Sequence, residues 1–338
     1  MSDAAVRHHG RSRPDACSVV WDNVQGSAQG SAQGSALGTA PLASFWVALE
    51  QNGPWGAKAA TQSHLDPDLG RTLDQHCQEA GGRFILIRRP GRHPDPDPGE
   101  GNLQRTYVAG GLAGRPWLLE ADLGDPARLT RLPWLTLPGP GSDTLDAIRR
   151  ALPELRVSPG PVLMICSNSR RDVCCSVRGR PVAAESGWQR PGQVWECSHT
   201  GGHRFAPTGV LLPHGLTLGR LSGTSAVAAV DAAGCGEIPV DLLGETHDRG
   251  RSHLTAPAQA AESRVRQQIQ ELRLSALSST ATALPGQENA WRCRVSHVDG
   301  RHWEVLAARS PGGAELPESC GKEPVPSWQW SINDSRAR

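Results

Sequence analysis

The chain has 338 residues, enough to bury a substantial core and to divide into two domains. Its 35 Lys and Arg against 34 Asp and Glu leave a formal charge of +1, so no long-range field gathers nucleic acid or an anionic membrane. No run approaches eighteen apolar residues, so no transmembrane helix is expected.

The opening run MSDAAVRHHGRSRPDA carries positive charge without an apolar stretch behind it and does not read as a secretory signal. With the tandem QGSAQGSAQGSA at 25–36 it makes residues 1–43 an expected disordered, low-complexity segment. Residues 45–50 (FWVALE) read as a strand and 51–56 (QNGPWG) as a turn. Leu65, Leu69, Leu73, Cys77 and Ala80 have helical spacing, closed by Gly81 and Gly82. A buried-type strand follows at 83–88 (RFILIR), then a Pro- and Asp-rich loop at 93–101, and short strands at 106–109 and 117–121 that suit a hairpin. A proline-rich linker at 132–141 closes an N-terminal α/β domain placed at 44–140.

The second half begins with a helix over 143–152, with Ser142 placed to cap it. The strand 161–165 (PVLMI) delivers Cys166, and the strand 193–196 (QVWE) delivers Cys197 and His199. A hairpin at 209–212 and 216–221, a helix from about 257 to 277, a loop at 278–290 and a second hairpin around Asp299-Gly300 complete a domain at 141–321. Residues 322–338 read as an irregular tail. The expected class is α/β.

Nine cysteines in a chain without a recognisable signal point to a reducing, cytoplasmic setting, where metal or redox use of thiols outweighs disulfides. Two segments carry ligand chemistry: CSNSRRDVCC, with Cys166, Cys174 and Cys175, and HTGGH, with His199 and His203. Both follow strands, so both lie at strand ends. Gly201 and Gly202 remove side-chain bulk and let the loop turn tightly toward a bound group. Cys174 and Cys175 are neighbours that point different ways, and spacing does not choose between them. Cys197 is a further alternative, more simply read as a buried strand cysteine. Cys17, Cys77, Cys235, Cys293 and Cys320 show no metal spacing and are expected to be structural or free.

A Cys2His2 set suits zinc, usually with two to four residues between the cysteines, or a [2Fe–2S] cluster with two histidines and two cysteines, as in Rieske centres. The eight residues between Cys166 and Cys175 favour the larger group. Asp172, Arg204 and Arg220 are neighbours in sequence that could tune it, although surface ion pairs are the plainer reading. No Cys-x-x-Cys, phosphate-binding glycine loop or carboxylate pair for glycoside hydrolysis is present.

The run CSNSRRDVCC with WECSHTGGHRFAPT resembles the sucrase/ferredoxin-like family. Gly38-Thr39-Ala40-Pro41, GPWG at 53–56, LIRRPGR at 86–92, Gly219-Arg220 and PAQAAE at 257–262 extend the likeness over roughly 17–321. The resemblance implies a thioredoxin-like ferredoxin with a bis-histidinyl [2Fe–2S] cluster on Cys166, Cys175, His199 and His203. Ser167-Asn168-Ser169 stands where Thr-His-Gly is common, and the QGSA tandem is additional. The expected function is soluble electron transfer between a reductase and an acceptor protein, with a raised, proton-coupled potential, rather than an enzyme with its own substrate. A zinc-binding structural domain and a cluster-dependent reductase of a small oxidant are the alternatives.

Overall fold

The computed structural model describes residues 14–25, 34–91 and 103–334. Most of the QGSA tandem and the loop at 93–101 lie outside these residues. No helix among them is long and apolar enough to cross a membrane.

The first element is helix α1 (Cys17–Gln25), where the sequence suggested disorder. Its nine residues are too few to be stable in isolation, so packing decides. Cys17 and Trp21 are buried, and the Trp21 ring meets Phe205 edge-on at 5.5 Å. Strand β1 (Trp46–Glu50), helix α2 (Pro67–Glu79), and strands β2 (Arg83–Arg88), β3 (Gln104–Gly110) and β4 (Trp117–Leu123) follow. Asp66 caps α2 by accepting from the amides of Asp68 and Leu69, and Pro67 occupies its first turn.

Then come helix α3 (Ser142–Ala151), strands β5 (Arg156–Val157) and β6 (Val162–Cys166), helix α4 (Val173–Gln189), and strands β7 (Val194–Cys197), β8 (Gly209–Leu212) and β9 (Leu216–Leu218). Helix α5 (Gly223–Gly234), strand β10 (Asp248–Arg251) and helix α6 (Ala256–Ile269) lead to strands β11 (Leu277–Ala283), β12 (Ala290–His297), β13 (His302–Leu316) and β14 (Val325–Asp334). The α/β class read from the sequence is the one observed.

Ten strands form one sheet in the order β10-β9-β8-β6-β7-β2-β1-β3-β4-β5. Its two halves repeat one plan. A strand, a helix and a parallel strand (β1-α2-β2; β6-α4-β7) are followed by two strands added antiparallel on the first strand's other side. The halves join edge to edge through antiparallel pairing of β2 with β7. Trp46, Ile85 and Tyr107 from one half share a buried cluster with Met164, Trp195 and Val210 from the other. Each such apolar side chain stabilises the fold by about 1.5–3 kcal/mol when fully buried, so the junction is a core and not a hinge.

Several boundaries differ from the sequence reading. Helix α3 packs Ile148 and Leu152 into the first half's core, and β5 pairs with β4, so the division near residue 140 falls inside the first unit. Gly141, not Ser142, is the N-cap of α3; the Ser142 hydroxyl donates to Asp143 instead. Helix α6 stops at Ile269 because Gln270 adopts a left-handed conformation. Residues read as loop at 278–290 and as an irregular tail contribute β11 and β14 to a second, four-stranded antiparallel sheet. Val295, Trp303 and Val305 of that sheet pack against Ala261 and Val265 of α6.

Candidate metal centre

Strands β6 and β7 run parallel and end side by side, with Cys166 opposite Cys197. Their C-terminal ends therefore launch both ligand segments from one edge of the sheet. Beyond Cys166 the chain turns at Asn168, whose side chain donates to Gly56 O at 3.0 Å, and enters α4 at Asp172. Asp172 caps α4, accepting from Cys174 N at 2.8 Å. Cys175 thus sits on the first turn of a helix, where the sequence reading had placed a loop. Gly179 lets α4 lie against the end of β6: a Cβ there would meet Cys166 O at 2.2 Å.

Beyond β7, Gly201 and Gly202 take φ of +72° and +71°, turning His199 and His203 toward the same spot. A hydrogen bond between the Thr200 and Thr208 hydroxyls, at 2.8 Å, ties the ends of this loop together.

The four side chains form a closed ring of contacts. Cys175 Sγ lies 3.1 Å from His203 Nδ1. The His203 and His199 rings stack at 5.0 Å. The Cys166 thiol lies beside Cys175 and His199, which act on its charge. Cys166 and Cys175 are fully buried, whereas His199 is part-exposed at the rim. Interaction with Cys175, with help from the histidines, holds the Cys166 thiol well below its ordinary range, and Cys175 is pushed up in return. One thiolate is therefore favoured. Burial lowers His203, which favours the neutral imidazole that ligates metals. His199 Nδ1 is buried without a hydrogen-bond partner. Asp172, Cys175 and His203 also converge, with ligand atoms within 4.8 Å of one another, so a carboxylate joins the set of available donors.

The remaining candidates are placed differently. Cys174 faces away from His203, toward Cys17 and Cys320. Cys197 is a buried neighbour of Cys166 on β7, and burial pushes its thiol well up, as for a protonated core cysteine. Arg204 stacks on Trp21 and Phe205 and pairs with Glu318. Arg220 pairs with Asp22 at 2.8 Å and donates to Thr246 O. These two arginines brace α1 against the His203 turn and direct their hydrogen bonds away from the thiols and imidazoles.

Sequence reasoning missed Arg249 of β10, which is 1% exposed beneath the glycine pair. Its guanidinium donates to Gly201 O at 3.0 Å and to Thr39 Oγ1 at 3.1 Å, and its positive charge faces Cys166 and Cys175. Among the described residues no carboxylate pairs with it, and burial pulls it down to about 9. A buried pair of Arg88 with Glu196, at 2.7 Å, sets the other flank; the Ser167 hydroxyl donates to the same Glu196 oxygen at 2.8 Å. Thr39, Gly56 and Arg88 belong to segments whose likeness to the family was noted from sequence, and all three meet around this centre.

A family model described as sucrase/ferredoxin-like matches residues 37–240, more than half of the chain, and the chain belongs to that family. No curated protein and no solved structure matches it.

Proposed function

We propose that this member of the sucrase/ferredoxin-like family is a one-electron carrier that holds a [2Fe–2S] cluster on Cys166, Cys175, His199 and His203. The observation that carries the reading is the closed ring of two thiols and two imidazoles, buried on its cysteine side and open at His199. The residues fit an iron–sulfide group held by thiolate and neutral imidazole. Cys166 favours the thiolate, His199 Nδ1 is a desolvated donor with no protein partner, and Arg249 is a buried cation facing the thiols. The repeated strand order of the sheet supports a thioredoxin-like reading of each half.

When bound, such a cluster supplies a one-electron couple, and two imidazoles in place of two thiolates leave its oxidised form neutral rather than dianionic, which raises the potential above that of all-cysteine ferredoxins. The chain's own residues do the rest. Cys166 and Cys175 exclude water from the inner side. Arg249 offsets negative charge there. His199, at the rim, presents the route by which a redox partner protein exchanges an electron.

The test is iron and acid-labile sulfide analysis, with EPR of the reduced protein, after anaerobic purification and reconstitution. Iron and sulfide in equal amounts, and a signal altered in His199→Cys and His203→Cys, are the expected results. A colourless protein after reconstitution refutes the cluster. One observation favours a second reading. Asp172, Cys175 and His203 alone could hold a single zinc ion, in which case metal analysis returns zinc without sulfide.

A further inference from the structure

We infer that the chain carries a second metal site, a structural zinc held by Cys17, Cys174 and Cys320 with Asp172 as fourth donor. It is independent of the proposed cluster. The three sulfurs form a nearly equilateral triangle: Cys17 to Cys174 is 3.5 Å, Cys174 to Cys320 is 3.1 Å, and Cys320 to Cys17 is 3.6 Å. Tetrahedral zinc with bonds of about 2.3 Å separates its sulfurs by about 3.8 Å, so an ion needs them to move apart by about 0.2–0.7 Å. Both Asp172 oxygens lie 3.9 Å from Cys17 Sγ, and all four ligand atoms fall within 4.8 Å of one another.

The carboxylate is already oriented for this task. Its Oδ1 accepts from Cys174 N at 2.8 Å, and its Oδ2 accepts from Ser319 Oγ at 2.7 Å and Cys320 N at 2.8 Å. Such supporting bonds fix first-sphere ligands in metal sites, and Oδ1, which accepts a single backbone bond, keeps a lone pair for the ion. Three soft thiolates with one carboxylate select zinc over magnesium or calcium, and a closed four-donor set marks a structural site. Three thiol protons leave to solvent when the ion binds. Cys320 is part-exposed and gives the ion an entry path.

A disulfide accounts for less of this arrangement. It would join two sulfurs at about 2.05 Å, leave the third thiol without a role, and make no use of the carboxylate. The sulfurs come from segments 146 to 303 residues apart, so their meeting is a product of the tertiary fold. Local spacing could not reveal it, and Cys17 and Cys320 both lie outside the family match. A zinc here fastens α1 and the β13–β14 connection onto the first turn of α4. Trp21 of α1 rests on Phe205, two residues beyond His203, so the ion would brace the outer wall of the first centre.

Metal analysis of the full chain, purified without added metal, tests the site. Wild type should hold one zinc per chain beside its iron. Cys17→Ser and Cys320→Ser should each lose zinc at least tenfold while iron, sulfide and the visible spectrum persist. Cys174 is left intact because it adjoins Cys175. If either variant misfolds, Co2+ added to chelator-stripped wild type should develop tetrahedral thiolate ligand-field bands. Wild type with two zinc ions and no iron, and variants with one, would sink the cluster but support this site. Zinc-free wild type with a mapped Cys174–Cys320 disulfide overturns the inference, as does zinc that is unchanged in both variants or lost together with iron.

Discussion

Alanine at Gly201 and at Gly202 should have very different costs, although the two backbones are nearly identical. Both residues have φ near +70°, where an alanine costs about 1–2 kcal/mol. Restricting the unfolded chain returns about 0.4–1 kcal/mol. At Gly201 the added methyl finds only Pro41 Cβ, at 3.9 Å, so the net loss should be about 1 kcal/mol or less. At Gly202 the methyl would sit 2.3 Å from Arg249 Nη2 and 2.5 Å from Cζ. That guanidinium cannot swing aside, because it is fully buried and bonded to Thr39 and Gly201. Displacing it breaks hydrogen bonds to a charged group worth about 1.5–3 kcal/mol each, so two lost bonds cost roughly 3–6 kcal/mol. Gly202→Ala should therefore exceed Gly201→Ala by about 3–6 kcal/mol in urea denaturation, and should release bound metal more readily because His203 follows directly. Equal losses in the two variants would refute the argument that Arg249 dictates glycine at 202.

Cys175→Ser should abolish iron binding while Cys174→Ser keeps it, since only Cys175 faces His203; iron-to-protein ratios after reconstitution decide this. Arg88→Met strips the buried Glu196 of its guanidinium partner and should cost about 3–5 kcal/mol, with Arg88→Met combined with Glu196→Gln recovering most of the loss in the same denaturation assay. His214 is lowered from 6.5 to about 4, chiefly by burial and then by the Arg251 charge, so the folded state prefers it neutral. Its contribution is present above pH 6.5 and is lost as pH falls toward 4, with a slope of up to about 1.4 kcal/mol per pH unit from this one group. Stability measured from pH 7 to 4 should fall less steeply in His214→Asn than in wild type; parallel curves would contradict the shift.

Strands β1, β2, β6 and β7 were legible because their apolar runs have the length and β-branched content of buried strands. Helix α4 was not, for a physical reason. Its buried face is built from Gly179, Ala183 and Ser186, with Pro181 inside the helix, so no row of large apolar side chains announces it. Those small residues are what let the helix press onto Cys166. Strand β11 (LSSTATA) escaped notice because only part of one face is covered and the run is mostly polar. Arg249 and the Arg88–Glu196 pair gave no local signal, since their partners lie more than 40 residues away along the chain.

The vicinal cysteines resolve what spacing left open. Consecutive residues on a helix project about 100° apart, so Cys174 and Cys175 on the first turn of α4 cannot serve one small centre together. The direction of α4 is set by β6, through Gly179 and Cys166, and that direction turns Cys175 inward to His203 and Cys174 outward to α1. Asp172, capping the same turn, reaches both sides: its carboxylate belongs to the group with Cys175 and His203 and to the group with Cys17 and Cys320. The adjacency of two cysteines, which looks redundant in sequence, thus divides one helix turn between the proposed cluster site and the proposed zinc clamp.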